Sequence, residues 1–308
     1  MSELTALITE PLGFAFMQRA LAVAIMVGAV SAVLSCFLVL KGWSLMGDAV
    51  SHAVLPGIVI AFMLGMPLAA GAFAAGLGSA VLTGYLEENS RIKEDTVMGI
   101  VFSGMFAFGL VLFTKVETDQ HLTHILFGNM LGVSVRDLVE TGFVSGAVLL
   151  VVAAKRRDLV LYCFDPSHAR AIGLDVRVLH YGLLVLLALT IVASLKAVGI
   201  ILVVAMLIGP GVTASLVSRR FGTMLLVALA VAIGSSIAGT ILSFHIDAAT
   251  GPTIVLVQAG VFLAVLGLGR SARLETAPPD ALSSAGEGAE NPVQAVVLEK
   301  SAGSRSSN

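Results

Sequence analysis

The amino-acid sequence predicts an all-α fold, a polytopic transmembrane bundle of about nine spans within a range of eight to ten. Three observations predict it. Charged residues make up 12% of the 308 positions and hydrophobic residues 57%, where a soluble protein carries roughly 25% charge. Mean hydropathy is +0.98, and a soluble fold of this size could not cover its surface with so few charges. The apolar residues fall into runs close to the ~20 needed to cross a hydrocarbon core, at 20–40, 44–63, 67–85, 96–113, 135–154, 179–195, 198–218, 223–242 and 253–269. The second run contains Asp48 and His52, the sixth and seventh are divided only by Lys196, and the last is short enough for a re-entrant segment.

Threading those spans with the N-terminus outside and the C-terminus inside puts fourteen of the 18 Lys and Arg on one side. Arg19, Lys115, Arg136 and Lys196 remain on the other. Cytoplasmic loops collect the positive charge, so the topology is N-out and C-in. Residues 1–18 lack the basic start of a signal peptide and carry Glu3 and Glu10, which suits an external N-terminal segment. Residues 19–270 form the transmembrane domain. From 271 to 308 the composition turns to Pro, Ser and Gly among scattered acids, as in a disordered cytoplasmic tail.

A net charge of −2 supplies no basic surface for nucleic acid. Cys36 and Cys163 are too far apart to suggest a metal knuckle or a disulfide framework. No phosphate-loop signature occurs, so the chain is not itself an ATPase of that kind, and zinc-protease and serine-elbow signatures are also missing. Small residues four apart, Gly28/Ala32, Gly142/Gly146 and Gly234/Ala238, let helices approach closely. They read as packing inside the bundle, with a dimer seam as the alternative.

Ionisable groups inside a membrane are costly and therefore mark function. Asp48 and His52 stand four apart, on one helical face. A carboxylate with an imidazole is a mixed ligand pair for Mn²⁺, Fe²⁺ or Zn²⁺. The alternative makes Asp48 a helix N-cap with His52 its hydrogen-bonded neighbour. Pro56, one turn on, frees a backbone carbonyl. Gly209-Pro210-Gly211 either unwinds a turn of the seventh span or kinks it. Two external loops carry further candidates for metal entry, with ordinary solvated loop residues as the alternative: Asp119, His121 and His124 in one, His245 and Asp247 in the other. Residues 124–132 are apolar but too short to cross. On the cytoplasmic side Asp165 reads as an N-cap, Pro166 as the first helical position and Gly173 as the stop of a two-turn helix. So short a helix holds only when packed on something.

These residues resemble a known family. The stretch 40–57 around Trp43, Asp48, His52 and Pro56 is similar to the signature of the metal-ion ABC importer permeases (ABC-3 type). The stretches 93–100, 124–129 and 164–174 are similar to that family in the same order, and the similarity runs from about 12 to 270. The resemblance implies a type II importer-like permease of the bacterial inner membrane for manganese and/or iron, with zinc as the alternative substrate. It implies no permanently bound cofactor, ATP being used by a dimer of cytoplasmic ATPase subunits. A metal-loaded solute-binding protein would dock outside, beside a second copy or a sister permease. Asp48 and His52 match the family's metal pair, and Asp165, Pro166, His168, Ala169, Arg170, Ile172, Gly173 and Leu174 its ATPase-coupling helix. An ion-coupled secondary transporter using Asp48 without an ATPase is the rival from another class.

Overall fold

A computed structural model describes residues 10–275 apart from 12, 44, 93, 116–129 and 219. Among the described residues there are helices and no strands. The first, α1 (Ala15–Lys41), is apolar on every side beyond Arg19 and is buried all round from Val30 to Leu38. It is the post around which the other helices pack, chiefly those over Val176–Val217 and Phe221–His245. Lys41 in its last turn complements the helix dipole, and Gly42 ends it with a left-handed φ of 82°.

The second span is two short helices, α2 (Met46–Ala53) and α3 (Leu55–Met63), meeting at Val54. Pro56 sits in the first turn of α3. Without an N–H, it cannot donate to the His52 carbonyl one turn earlier. α4 (Leu68–Asn89) returns against α3, and α5 (Glu94–Phe113) packs on both α2 and α3. A 3₁₀ turn at Met130–Gly132 precedes α6 (Val135–Ala154). Only that turn of the apolar stretch 124–132 lies within the described residues.

α7 (Arg156–Phe164) and α8 (Pro166–Ala171) lead into α9 (Val176–Val217). α9 has 42 residues, roughly 60 Å of helix at 1.5 Å per residue, about twice a hydrocarbon core. Gly199 interrupts it with φ 79° and ψ 169°, a region essentially closed to residues with a Cβ. The run therefore supplies two crossings, 176–198 and 200–217. The break stands at Gly199, not at Lys196 where the charge suggested it. With α10 (Phe221–His245) and α11 (Thr250–Glu275), eight apolar helices long enough to span give nine crossings among the described residues.

α11 has 26 residues, enough for a full crossing and too long for a re-entrant segment. Residues 15–18 and 271–275, assigned by composition to the flanking segments, are the ends of α1 and α11. The tail beyond, 276–308, lies outside the described residues. The chain divides after Leu263: the first compact unit holds α1–α10 and the start of α11, and the described part of the second is the remainder of α11.

Pro210 does not unwind α9. The helix runs through it, buried, because side chains from neighbouring helices take up the backbone groups it disturbs. The Gly211 N–H donates to Ser35 Oγ on α1 at 3.0 Å, and Ser35 Oγ donates to the Ile208 carbonyl at 3.2 Å. Gln258 Nε2 on α11 donates to the Ala205 carbonyl at 2.9 Å. Of the small-residue pairs, Gly28 packs on Ser236 and Ala232 of α10 and Gly142 on Met26, both inside this chain. Gly146 and Gly234 have nothing close. A close helix approach occurs instead at Gly57 on Gly71, where the backbones of α3 and α4 touch.

Candidate functional site

Asp48 is the third residue of α2, and its side chain caps nothing: Leu45 holds the N-cap position without a side-chain hydrogen bond. The N-cap alternative is thus not adopted. The carboxylate stands in the first turn, where the dipole favours an anion, and faces His52 one turn on. His52 Nε2 lies 3.4 Å from Asp48 Oδ1, with the side chains 26% and 39% exposed. The imidazole is held by two rings of α5, Phe102 and Phe106, each 5.3 Å away between centroids. His52 Nδ1 is buried without a hydrogen-bond partner among the described residues. Ser51, beside the pair, is buried and donates its hydroxyl to the Gly47 carbonyl one turn back at 2.6 Å.

Chemically the pair offers one imidazole and one carboxylate, aligned and partly open. Among the described residues no group of three or more His, Cys, Asp and Glu comes together to hold a metal ion. A transition metal here would fill the rest of its about four to six positions with water, backbone carbonyls or a second chain. Of the external candidates, those among the described residues do not join the pair. Asp119, His121 and His124 lie outside the described residues. His245 ends α10 and Asp247 follows with a left-handed φ of 50°, both exposed in the turn to α11.

The short helix α8 is built as its local sequence requires. Asp165 Oδ1 accepts from the N–H groups of Ser167 and His168, both at 2.9 Å. Pro166 occupies the first position, and Gly173, at φ 87°, follows the end. Leu174 closes the turn through its N–H to the Ala169 carbonyl at 3.1 Å. Ala169 is the anchor at 0% exposure, while His168, Arg170 and Ile172 point outward. Beside it an open cavity of about 640 Å³ is lined by Arg156, Arg157, Leu161, Phe164 and Phe221 among others. The result is an exposed knob next to an apolar hollow bordered by Arg156, Arg157 and Asp165.

Two features escaped sequence reasoning. Phe102 and Phe106 repeat the four-residue spacing of Asp48 and His52, a signal that was available on α5. An ion cluster joins α6 to the first half of α9: Lys196 Nζ sits 2.6 Å from Asp137 Oδ1 and 3.5 Å from Glu140 Oε2, and Arg136 Nε lies 2.8 Å from Glu140 Oε1. Asp137 also completes a capping box with Ser134 at the start of α6. Lys196 is thereby committed to these acids, close to the turn at Gly199.

The model of the ABC 3 transport family matches residues 13–268. A chelated iron transport system membrane protein of Yersinia pestis, YfeD, is 65% identical over 266 residues, 86% of this chain and 90% of that protein. A manganese transport system membrane protein of Synechocystis, MntB, is 50% identical over 261 residues, 84% and 85% of the two chains. Among solved structures, PsaBC from Streptococcus pneumoniae in complex with Fab superposes with a TM-score of 0.76 at 39% identity, covering 85% of this chain and 95% of that one.

Proposed function

From the premise that this chain belongs to the ABC 3 transport family, we propose that it is the bacterial inner-membrane permease of an ATP-driven importer of divalent transition metal, manganese or iron. The observation that carries the reading is the Asp48–His52 pair. A carboxylate 39% exposed at membrane depth cannot face lipid without a large cost; its exposed side is read as facing the ion path, completed by a second permease copy or a sister permease. Two aligned ligands finished by water or backbone suit a carrier better than a closed cage, since the ion must enter and also leave. The phenyl rings of Phe102 and Phe106 fix the imidazole so that little order is lost when the metal arrives.

The remaining parts take their roles from the same premise. The knob α8, with Asp165, Pro166, His168, Ala169, Arg170, Ile172, Gly173 and Leu174, is the contact for a pair of cytoplasmic ATPase subunits. Closure of those subunits on ATP moves α8 and swings the bundle between outward and inward forms. A metal-loaded binding protein delivers the ion from outside. The relatives' names, chelated iron and manganese transport, support the choice of metal. Affinity alone at an Asp/His pair would favour zinc, which places selectivity in the delivering protein.

The test is metal accumulation in cells carrying the permease with its partner subunits, reading Mn, Fe and Zn together by elemental analysis. His52→Ala and Asp48→Ala are compared with the native chain at matched membrane expression, alongside a complex whose ATPase lacks its phosphate-loop lysine. Loss of Mn or Fe uptake in all three supports the proposal. Uptake that persists in both permease variants makes the pair structural, and uptake that persists without ATP hydrolysis returns the ion-coupled transporter.

A further inference from the structure

We propose that Trp43, Tyr162 and His180 form a clasp that carries movement of α8 to the helix bearing Asp48 and His52, a reading that rests on the transport function proposed above. The chain enters α8 from α7 and leaves it into α9. Tyr162 lies two residues before the end of α7, and His180 lies in the second turn of α9. Their side chains are hydrogen-bonded directly, Tyr162 hydroxyl to His180 Nδ1 at 2.9 Å. The two stems of α8 are therefore tied to each other, and a push on the knob displaces them together.

The third member connects the stems to the metal pair. Trp43 meets the His180 ring edge-on, with centroids 5.1 Å apart and planes at 86°. Its backbone is fixed at both ends: its N–H donates to the Leu38 carbonyl of α1 at 2.8 Å, and its carbonyl accepts from the N–H of Met46, the first residue of α2, at 3.0 Å. Asp48 and His52 are the third and seventh residues of that helix. Trp43 and Tyr162 are each 1% exposed. Close-packed rings transmit displacement because they have no free volume in which to absorb it. The Lys41 ammonium lies over both, 5.6 Å from the Trp43 ring and 5.0 Å from the Tyr162 ring. From the far side α4 closes in at Gly84, where a Cβ would stand 3.0 Å from His180 Nε2. The clasp thus draws on five segments and ends on the ligand helix.

Trp43 is the protein's only tryptophan, so 5-fluorotryptophan incorporated into the permease gives one fluorine resonance at the clasp. The complete complex, with ATPase subunits and binding protein, is reconstituted into liposomes. The fluorine resonance is read nucleotide-free and with ATP held on a hydrolysis-deficient ATPase, and Mn²⁺ imported per ATP hydrolysed is measured with the active ATPase. The variants are Tyr162→Phe, which removes one oxygen, His180→Leu, and His180→Gln, which restores a hydrogen-bonding group. In the native complex the resonance shifts between nucleotide states. In Tyr162→Phe and His180→Leu the shift is lost and import per ATP falls about fivefold or more, the low end of ordinary coupling between sites, with hydrolysis retained. His180→Gln recovers part of both.

A resonance unchanged by nucleotide in a complex that imports Mn²⁺ overturns the clasp, as do variants with native import per ATP and a native shift. A native complex that imports no metal overturns the transport reading instead, and the nucleotide dependence of the resonance then still decides whether the clasp moves with α8.

Discussion

An alanine at position 57 puts a methyl group where two backbones already touch. The added Cβ would overlap the Gly71 carbonyl oxygen and stand 2.5 Å from Ala75 Cβ. Carbon atoms in good contact lie about 3.5–4.0 Å apart, so α3 and α4 must part by roughly 1 Å along this seam. Gly71→Ala meets the reciprocal obstruction, the Gly57 carbonyl and Ala61 Cβ, the latter at 2.5 Å. The obstacles are backbone and Cβ atoms, with no flexible side-chain end that could yield. Overpacking of that kind costs about 2–3 kcal/mol, a fall of about 5 °C or more in melting temperature for a protein of this size. Gly78→Ala is the internal control. It lies on the same helix α4 with nothing within 4 Å, so its methyl group adds only helix propensity, worth up to about 1 kcal/mol in the stabilising direction. Melting of the purified permease in detergent, scanned at one rate for all variants, separates the two effects. Gly57→Ala and Gly71→Ala melt lower and Gly78→Ala melts at or above native. If Gly57→Ala melts with the native protein, the close approach of α3 and α4 is refuted, and with it the account of how α2 and α3 are seated.

Ser35→Ala removes the acceptor of the Gly211 N–H beside Pro210. It leaves a buried donor unpaired at about 1–3 kcal/mol, visible in the same melting assay, and an unchanged melt would place the Gly211 bond elsewhere. Asp165→Ala takes away both hydrogen bonds at the start of α8, a local loss of about 1 kcal/mol. Amide hydrogen exchange over 166–171 then quickens and metal uptake drops while overall melting barely moves; Asp165→Asn retains the cap and both properties. Burial pushes the Cys163 thiol up to about 12, against a smaller downward pull from Lys41. A raised pKa keeps the proton on the sulfur, so at pH 8 the thiolate is about one molecule in ten thousand. Maleimide labelling at pH 8 should therefore mark Cys163 only after unfolding, and rapid labelling of the folded protein would contradict its burial.

The elements legible in the sequence are those decided by local chemistry. Hydropathy places every span, because a crossing helix must satisfy its own backbone and be apolar throughout. The cap, proline and stop of α8 are each set by one residue's own chemistry and stand as read, at Asp165, Pro166 and Gly173. The Asp48–His52 pairing follows from helical spacing alone. The family resemblance drawn from about 12 to 270 coincides with the family match at 13–268. What stayed hidden depends on contacts between distant segments. Gly199 is one of 32 glycines, and nothing nearby distinguishes it from the rest, whereas Lys196 drew attention as an isolated charge. The Gly57–Gly71 contact joins helices whose register only the folded bundle sets. Trp43, Tyr162 and His180 come from three places in the chain and share no motif.

The turn at Gly199 also constrains how the protein is made. Between 176–198 and 200–217 there is no stretch of polar chain to be exported on its own, so the first of these crossings has no tether with which to wait in the bilayer for the second. Two crossings joined this tightly would enter the bilayer as one hairpin, with Lys196 near its tip and close to Asp137 and Glu140 of α6. An epitope or loop placed at 199 would convert a concerted insertion into two sequential ones. The same insertion after Ser218, between α9 and α10, leaves that step untouched.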